Sequence, residues 1–292
     1  MNLDIEIWLL TDTRYLRQRM PAALAGWLAG EGTPPVLVVA DRGDLVSEPW
    51  ADLSSGLPPW SGLCAGDLVV ARSRHPRALA LLERAEAFGA RPLDCRSAIE
   101  EVRDKARCSA ALARRGLPVP ETFLVRTPGD LREVAADAFP LLLKPVLGDN
   151  GNGLRLVRRP DELADVEWPE EVVLAQRYVD ARGIDLKVYV AGEAIWAVRR
   201  PSPLTDADDV PQPAEVTPAV RELAEACREE FGLVLFGLDV LELADGSLAI
   251  VDVNEFPNYT GVEEAPATIG RLLLEEAARL SRPVGQELVG QR

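Results

Sequence analysis

Lysine is almost missing from this chain. Of its 32 basic residues only Lys105, Lys144 and Lys187 are lysine; the other positive charges are arginine. Histidine is scarcer still. The one histidine, His75, sits in the turn-like RSRHPRA, so Ser–His–Asp and Cys–His catalysis and His-rich metal sites would all have to pass through it. We read it as a surface or packing residue. The four cysteines (Cys64, Cys95, Cys108 and Cys227) form no CxxC pair, which argues against zinc and predicts reduced thiols in a cytoplasmic setting. No apolar run approaches the roughly 20 residues a membrane span needs. The start, MNLDIEIWLL, has acids within its apolar run and no basic leader, so we do not read it as a signal peptide. Positive charge is also in deficit. A net charge of −15 disfavours nucleic acid as a partner, because a phosphate backbone requires a basic face. It suits a strongly anionic substrate less, unless a local basic pocket overrides the global field.

What remains is the composition of an ordinary globular protein: 292 residues, 47% hydrophobic and 27% charged. That is chain enough for one elaborate domain or two to three small ones. The first hundred residues alternate strand and helix, with strands expected at 4–10, 36–40, 67–71 and 91–93 and helices at 15–29 and 76–88. The alternation predicts a parallel sheet covered by helices. Thr11-Asp12-Thr13 follows the first strand in place of a glycine-rich fingerprint, so a dinucleotide-binding reading is weak. Residues 41–66, rich in Pro, Gly and Ser, read as loop.

A long helix is expected over 97–115, with Ser97 and Glu100 as a capping box and Lys105 within it. A strand at 122–125 and a short helix at 128–136 lead to FPLLLKPVLGDNGNGLRLV, residues 139–157. There two strands, 141–144 and 154–157, flank a loop with Gly148, Gly151 and Gly153. Glycines let backbone N–H groups wrap a phosphate chain, and Lys144 would aim a charge at it. A flexible hairpin is the plain alternative, and the order of Lys and Gly is not that of a Walker A loop. Strands at 172–179, 184–190 and 194–200 come next. Asp185 and Lys187 are two apart and therefore on one face. Residues 201–213 form a Pro- and Asp-rich loop, and 217–231 an acidic amphipathic helix whose charges are a solvated face. The last helix is expected at 266–280, with a frayed tail.

Between those helices, residues 234–262 read VLFGLDVLELADGSLAIVDVNEFPNYTGV. Asp245-Gly246 marks a hairpin turn. Asp239 on one strand can converge with Asp252 and Asn254, which share a face of the other. Three oxygen ligands on a rigid face suit Mg²⁺; solvated strand ends are the alternative.

Taken in order, these motifs resemble the ATP-grasp superfamily, and within it the ribosomal S6 glutamate ligase (RimK-like) group. The likeness covers about residues 1–280. It is carried by RDKARCSAALARRGLPVPET (103–122), LLLKPVLGDNGNG (141–153), AQRYVDARGIDLKVYVAGE (175–193), GLDVL and VDVNEFPNYTGV. KVYVAGEAIWAVRRPSP with DVNEFPNYTGV also resembles inositol polyphosphate kinases of the same superfamily. The resemblance implies α/β and α+β architecture: an N-terminal parallel-sheet domain (1–96) and two α+β subdomains (97–180 and 181–292) clasping ATP. By the same resemblance Lys105 and Lys144 would contact the phosphates under a loop bearing Gly148, Asn150, Gly151 and Gly153. Gln176, Arg177, Tyr178 and Val179 would form the adenine-side hinge, with Arg177 where many relatives carry Glu. Asp185 would face the ribose or hinge, and Lys187 the phosphates or substrate. Asp239, Asp252 and Asn254 would hold one or two Mg²⁺ ions, with Mn²⁺ as an alternative. All three lysines of an arginine-biased chain thus fall on nucleotide-site positions.

The implied reaction joins a carboxylate to an amine through an acyl phosphate, with small-molecule or peptide substrates. No nucleic acid or membrane partner is expected. Homo-oligomers are common in the family, and the state of this chain is left open. An arginine would neutralise the oxyanion of the tetrahedral intermediate. Arg199 and Arg200 end a strand that faces the site; successive residues point to opposite faces, so one of them enters it. The 201–213 loop would act as a lid. Two rival readings stand beside this one: a kinase with a basic acceptor pocket, for which Arg14, Arg17, Arg19, Arg72, Arg74 and Arg77 are candidates, and a nucleotide sensor without catalysis.

Overall fold

Five consecutive buried residues, Ile7–Thr11, form strand β1 of the computed structural model. The model describes residues 5–41, 62–133, 136–148, 151–181, 183–202, 204–205 and 210–281. A strand flanked on both edges and covered on both faces reads as a continuous apolar run. β1 lies between β2 (Val36–Val39) and β3 (Leu68–Arg72), with β4 (Arg91–Pro92) beyond β3, all parallel, in the order β2-β1-β3-β4. The single helix expected at 15–29 is two, α1 (Thr13–Leu16) and α2 (Arg19–Gly30). The Asp12 side chain caps the first, and extended backbone at Gln18 interrupts the run. Helix α3 (Pro76–Ala87) starts at His75, whose Nδ1 accepts the Arg77 N–H at 3.3 Å. His75 is thus a helix cap. Most of the expected 41–66 loop, residues 42–61, lies outside the described residues.

The chain divides into two compact units, 1–96 with 258–292, and 97–257. Residues 258–292, which the sequence reading attaches to the C-terminal subdomain, cluster with the first unit. In that unit α7 (Ala265–Leu280) packs on α2. Gly270 lies so close to the Trp27 ring that a Cβ there would fall 2.0 Å from Cε3. Only glycine permits that approach. The expected frayed tail lies outside the described residues from 282 on.

The second unit opens with two helices where one was expected: α4 (Arg96–Arg103) and α5 (Lys105–Arg114). The first begins at Arg96, one residue before the anticipated Ser97 cap. The break is at Asp104, which leaves helical geometry (ψ 98) and accepts the N–H groups of Ala106 and Arg107, both at 3.0 Å. An Asp that caps a new helix satisfies donors that a continuous helix would have paired internally. Lys105 therefore stands at the first position of α5 rather than inside a helix.

Two antiparallel sheets follow. The first has the order β5 (Thr122–Val125), β8 (Val173–Arg177), β6 (Leu141–Lys144), β7 (Arg155–Val157). One face carries Leu141, Leu143, Val157, Val173 and Ala175 into a core completed by Leu131, Ala138 and Leu163. The alternation of a strand then places Thr122, Gln176 and Lys144 on the other face. The expected 128–136 helix is two 3₁₀ turns, Pro128–Glu133 and Ala136–Ala138.

The second sheet has the order β11 (Gln212–Ala214), β10 (Ala194–Pro201), β9 (Ile184–Ala191), β12 (Leu235–Glu242), β13 (Leu248–Glu255). Helix α6 (Pro218–Phe231) runs from its Thr217 cap to Gly232, whose φ of 66° ends it, and packs on β9. Part of the expected 201–213 loop is strand β11, an edge position where Pro213 needs to donate nothing on its outer side.

Candidate active site

The hairpin β12–β13 brings its acids together as its alternation requires. Asp239 lies directly opposite Asp252, and Gly237 opposite Asn254, with a bulge just after Asp239. Next to β12 runs β9, where Lys187 lies opposite Asp239. On β10, Arg200 lies opposite Asp185. Directly opposed residues share a face, so Asp185, Lys187, Tyr189, Arg200, Asp239, Asp252 and Asn254 occupy one side of this sheet. The other side carries Leu186, Val188, Leu238, Val240 and Val253, all buried.

The three lysines converge on these acids. Lys187 Nζ lies 3.0 Å from Asp239 Oδ2 and 3.2 Å from Asp185 Oδ2. Burial opposes its charge, but the two carboxylates outweigh it and hold Lys187 above the ordinary lysine range. Lys105 forms a close ion pair with Asp252, and its backbone N–H donates to Val146 O at 3.0 Å. Lys144 reaches from the first sheet to the second: its Nζ donates to Gln176 Oε1 at 2.6 Å and to Val251 O at 3.4 Å. Burial pulls Lys144 down to about 8, against the attraction of Asp252. Ile250 N–H to Pro118 O, 2.7 Å, adds a backbone tie. Lys105 and Lys187 thus pair with three aspartates, and Lys144, bonded to an amide oxygen and a carbonyl, lies within the reach of their charge, all inside the second unit.

Of the expected hinge residues, Arg177 turns its side chain outward, and the backbone N–H groups of Arg177 and Tyr178 are already paired. The Arg177 guanidinium donates to Glu121 Oε2 and, at 2.7 Å, to Asp137 O on the exposed side. The backbone N–H groups of Arg177 and Tyr178 donate to Glu121 O and Pro140 O, both at 2.8 Å. They are sheet and turn donors, so a backbone contact with adenine from this segment falls to its carbonyl groups or to Val179. Gln176 is 3% exposed, and its side chain serves Lys144. Val179 follows the strand, outside its ladder. Of the arginine pair, one of which was expected on the site face, Arg199 is the one that points away: it lies opposite Leu186, on the far face, and forms a two-pronged pair with Glu242 at 2.9 Å on each prong. Arg200 is the one on the site face, hydrogen-bonded to Tyr189.

The glycine loop folds back on its own proline. A Cβ at Gly148 would meet Pro145 Cβ at 3.0 Å, and one at Gly153 would meet Pro145 Cγ at 2.8 Å. Gly151 and Gly153 both adopt positive φ, 71° and 77°. Asn150 lies outside the described residues, as do 203 and 206–209 of the expected lid.

Sequence reasoning missed several contributors. Tyr189 lies two residues after Lys187 and shares its face, a signal the alternation carries. Asp104, immediately before Lys105, is a good cap residue by type. The buried Arg103–Glu255 pair, at 2.7 Å, anchors α4 beside Asn254; its partners are 152 residues apart and nothing local announces it. Among the described residues no group of three or more His, Cys, Asp or Glu could cage an ion. Two carboxylates and an amide are a partial set of hard oxygen donors. Such a set fits Mg²⁺, which is usually bound by one or two carboxylates with the rest supplied by waters and substrate phosphates.

Residues 102–270 match the family model of the RimK-like ATP-grasp domain. The chain belongs to the RimK-like ATP-grasp family. The ribosomal protein bS6–L-glutamate ligases of Salmonella paratyphi B and Salmonella newport are each 30% identical over 199 residues, covering 63% of this chain and 66% of the relative. The chain thus spans just under two thirds of the length of those relatives. Among solved structures, the ATP-grasp ligase PsnB, complexed with minimal precursor, Mg and ADP, matches with a TM-score of 0.69 at 20% identity, covering 95% of this chain and 99% of PsnB. The macrocyclase MdnC from Microcystis aeruginosa MRC, bound with precursor peptide MdnA, matches with a TM-score of 0.65 at 13% identity, covering 93% and 100%. These structures show that the RimK-like chain has the ATP-grasp ligase fold. The enzymes named here are ligases and a macrocyclase. No helix among the described residues is long and apolar enough to cross a membrane.

Proposed function

We propose that this RimK-like protein is an ATP- and Mg²⁺-dependent ligase that joins a carboxylate to an amine through an acyl phosphate. The observation that carries this is the convergence of Lys105, Lys144 and Lys187 with Asp185, Asp239 and Asp252. A chain that uses arginine elsewhere has gathered its lysines around one acidic face. A compact ammonium on a flexible stem suits a phosphate chain, where a planar fork would impose its own geometry.

In this reading Lys105 and Lys144 bind the phosphates, with Gly148, Asn150, Gly151 and Gly153 over them. Asp239, Asp252 and Asn254 hold Mg²⁺ or, alternatively, Mn²⁺; the ion supplies charge neutralisation at the transferring phosphoryl group. The substrate carboxylate oxygen attacks the γ-phosphorus, ADP leaves, and the amine nitrogen then adds to the acyl carbon. Expulsion of phosphate and loss of a proton from nitrogen complete the amide bond. Arg200 faces the oxyanion of the tetrahedral intermediate, and Tyr189 orients it. Lys187 holds Asp185 and Asp239 apart in charge until nucleotide and metal take them over. Arg199 has no role in this scheme. Gln176 and Val179 flank the base, and the partition 1–96, 97–180 and 181–292 is the functional one.

The substrates we propose are peptide or small-molecule carboxylates and amines, in keeping with the protein and peptide partners named for the relatives. We place the protein in the cytoplasm, in keeping with its free cysteines. The test is phosphorus NMR with MgATP and two acceptor pools. ADP and stoichiometric free phosphate, formed only with amino acids and short peptides and accompanied by a condensed product, is the expected result. A new phosphoester formed with inositol phosphates, without free phosphate, would establish a kinase instead.

A further inference from the structure

Lys144 is held by a run of hydrogen bonds whose polarity is set at its far end. Pro120 O can only accept. Thr122 Oγ1 lies 2.8 Å from it and so donates its one proton there. The same oxygen, with its proton committed, accepts from Gln176 Nε2 at 3.1 Å. That fixes the amide with its oxygen toward Lys144 Nζ, 2.6 Å away. The three residues share one face of the first sheet: Thr122 lies directly opposite Gln176, and Lys144 lies opposite Leu174, two residues before Gln176.

The count at the ammonium is informative. Lys144 has three N–H donors. Among the described residues one goes to Gln176 and one to Val251 O, which leaves one. The acceptor at 176 is also neutral. A carboxylate there would form a buried ion pair and spend the lysine charge on the protein; an amide oxygen fixes direction without cancelling charge. Glu121, the nearest acid along β5, is turned outward to Arg177.

We infer that Thr122 and Gln176 form a positioning relay, which fixes the direction of the remaining Lys144 donor and keeps its charge for a nucleotide phosphate. This gives Gln176 a side-chain task distinct from any backbone contact with adenine. The inference rests on the proposed nucleotide role of Lys144.

The test is calorimetric binding of the non-hydrolysable analogue AMPPNP with Mg²⁺, which needs no acceptor. Thr122→Val removes the hydroxyl at nearly constant shape on an edge strand that favours β-branched residues, and Thr122→Ser keeps it. We expect Thr122→Val to weaken binding about tenfold, the worth of one hydrogen bond. Thr122→Ser should stay within about twofold of wild type, and Gln176→Glu should weaken binding by more than Thr122→Val. Melting temperatures establish that each variant is folded. Wild-type affinity in folded Thr122→Val and Gln176→Glu, with binding lost in Lys144→Ala, would overturn the relay and leave the nucleotide role of Lys144 intact. Wild-type affinity in Lys144→Ala would remove both. Equal weakening in Thr122→Val and Thr122→Ser would mean that side-chain packing, and not the hydroxyl, is what matters, and would also overturn the relay.

Discussion

Asp67 in the parallel sheet unit and Asp252 in the last hairpin are both poorly exposed aspartates, and they keep different company. Asp67 accepts from three neutral donors: the backbone N–H groups of Glu6 at 3.0 Å and Cys64 at 2.8 Å, and the Trp8 indole at 3.1 Å. Asp12, nearby in the same unit, is treated alike, by Tyr15 N–H at 3.0 Å and the Ser73 hydroxyl at 2.5 Å. Asp252, Asp239 and Asp185 instead face the ammonium groups of Lys105 and Lys187. Fixed neutral donors tie a loop or a strand end in place and cannot leave without exposing buried N–H groups. A lysine on a flexible stem can exchange its carboxylate for a phosphate when a metal ion takes the carboxylate over. The nature of the partner, more than burial or residue type, separates an aspartate that builds the fold from one that is open to chemistry.

The comparison can be broken most sharply at Asp252. Asp252→Asn keeps the size and removes the charge. Turnover should fall by about 10³-fold, the scale of one lost electrostatic contributor, while circular dichroism stays that of the wild type. Wild-type turnover would sink the assignment of this face. At Asp67 the pattern should invert. Asp67→Ala leaves the buried Trp8 indole N–H and two part-buried backbone N–H groups without their acceptor and should cost about 2 kcal/mol of stability, seen as a lower melting temperature. AMPPNP affinity measured below that temperature should stay within about twofold of wild type.

Lys144 sharpens the contrast through pH. Burial holds it at about 8, below the unfolded value of 10.5, so folding favours its neutral form. Its contribution to stability is therefore full above the unfolded value and is lost as pH falls toward 8. A bound phosphate draws the proton back. Nucleotide binding should take up close to one proton at pH 9 and little at pH 7, measured by calorimetry in buffers of different ionisation heat. Affinity should fall about tenfold per pH unit above 8 at most. The smallest effect belongs to Arg199. Its pair with Glu242 is about half exposed, on the face away from the cluster, so Arg199→Ala should cost less than about 1 kcal/mol and leave turnover within about twofold. Arg200→Ala, one residue on, should lower turnover about 10²-fold. Equal effects at the two positions would refute the face assignment.

Much of this was legible before any coordinates. The period of two along Ile184–Ala191 and Leu248–Glu255 already placed Asp185 with Lys187 and Asp252 with Asn254 on common faces. The Asp245-Gly246 turn fixed the hairpin, because its φ of 84° at Gly246 is one glycine adopts freely. The scarcity of lysine singled out Lys105, Lys144 and Lys187, which the structure gathers around Asp185, Asp239 and the backbone and side chain of residues 251–252. Less legible were features that compete locally. An Asp within a good helical run, as at Asp104, reads as one exposed position of a long helix until the cap geometry is known. Gln176 reads as the end of an apolar strand, since its partners Thr122 and Lys144 lie 54 and 32 residues away.

Sequence by itself determined the alternation of each strand, the turns, and the residue types on each face. Those properties follow from backbone geometry and hold whatever the neighbours are. Tertiary structure decided which of Arg199 and Arg200 meets the cluster, because that depends on pairing register between β9 and β10. It also decided that Lys105, from a helix start, pairs with Asp252, that Lys187 pairs with Asp185 and Asp239, and that Lys144 reaches from the other sheet to the backbone beside Asp252. Proximity across the chain is a property of packed elements, and no local pattern encodes it.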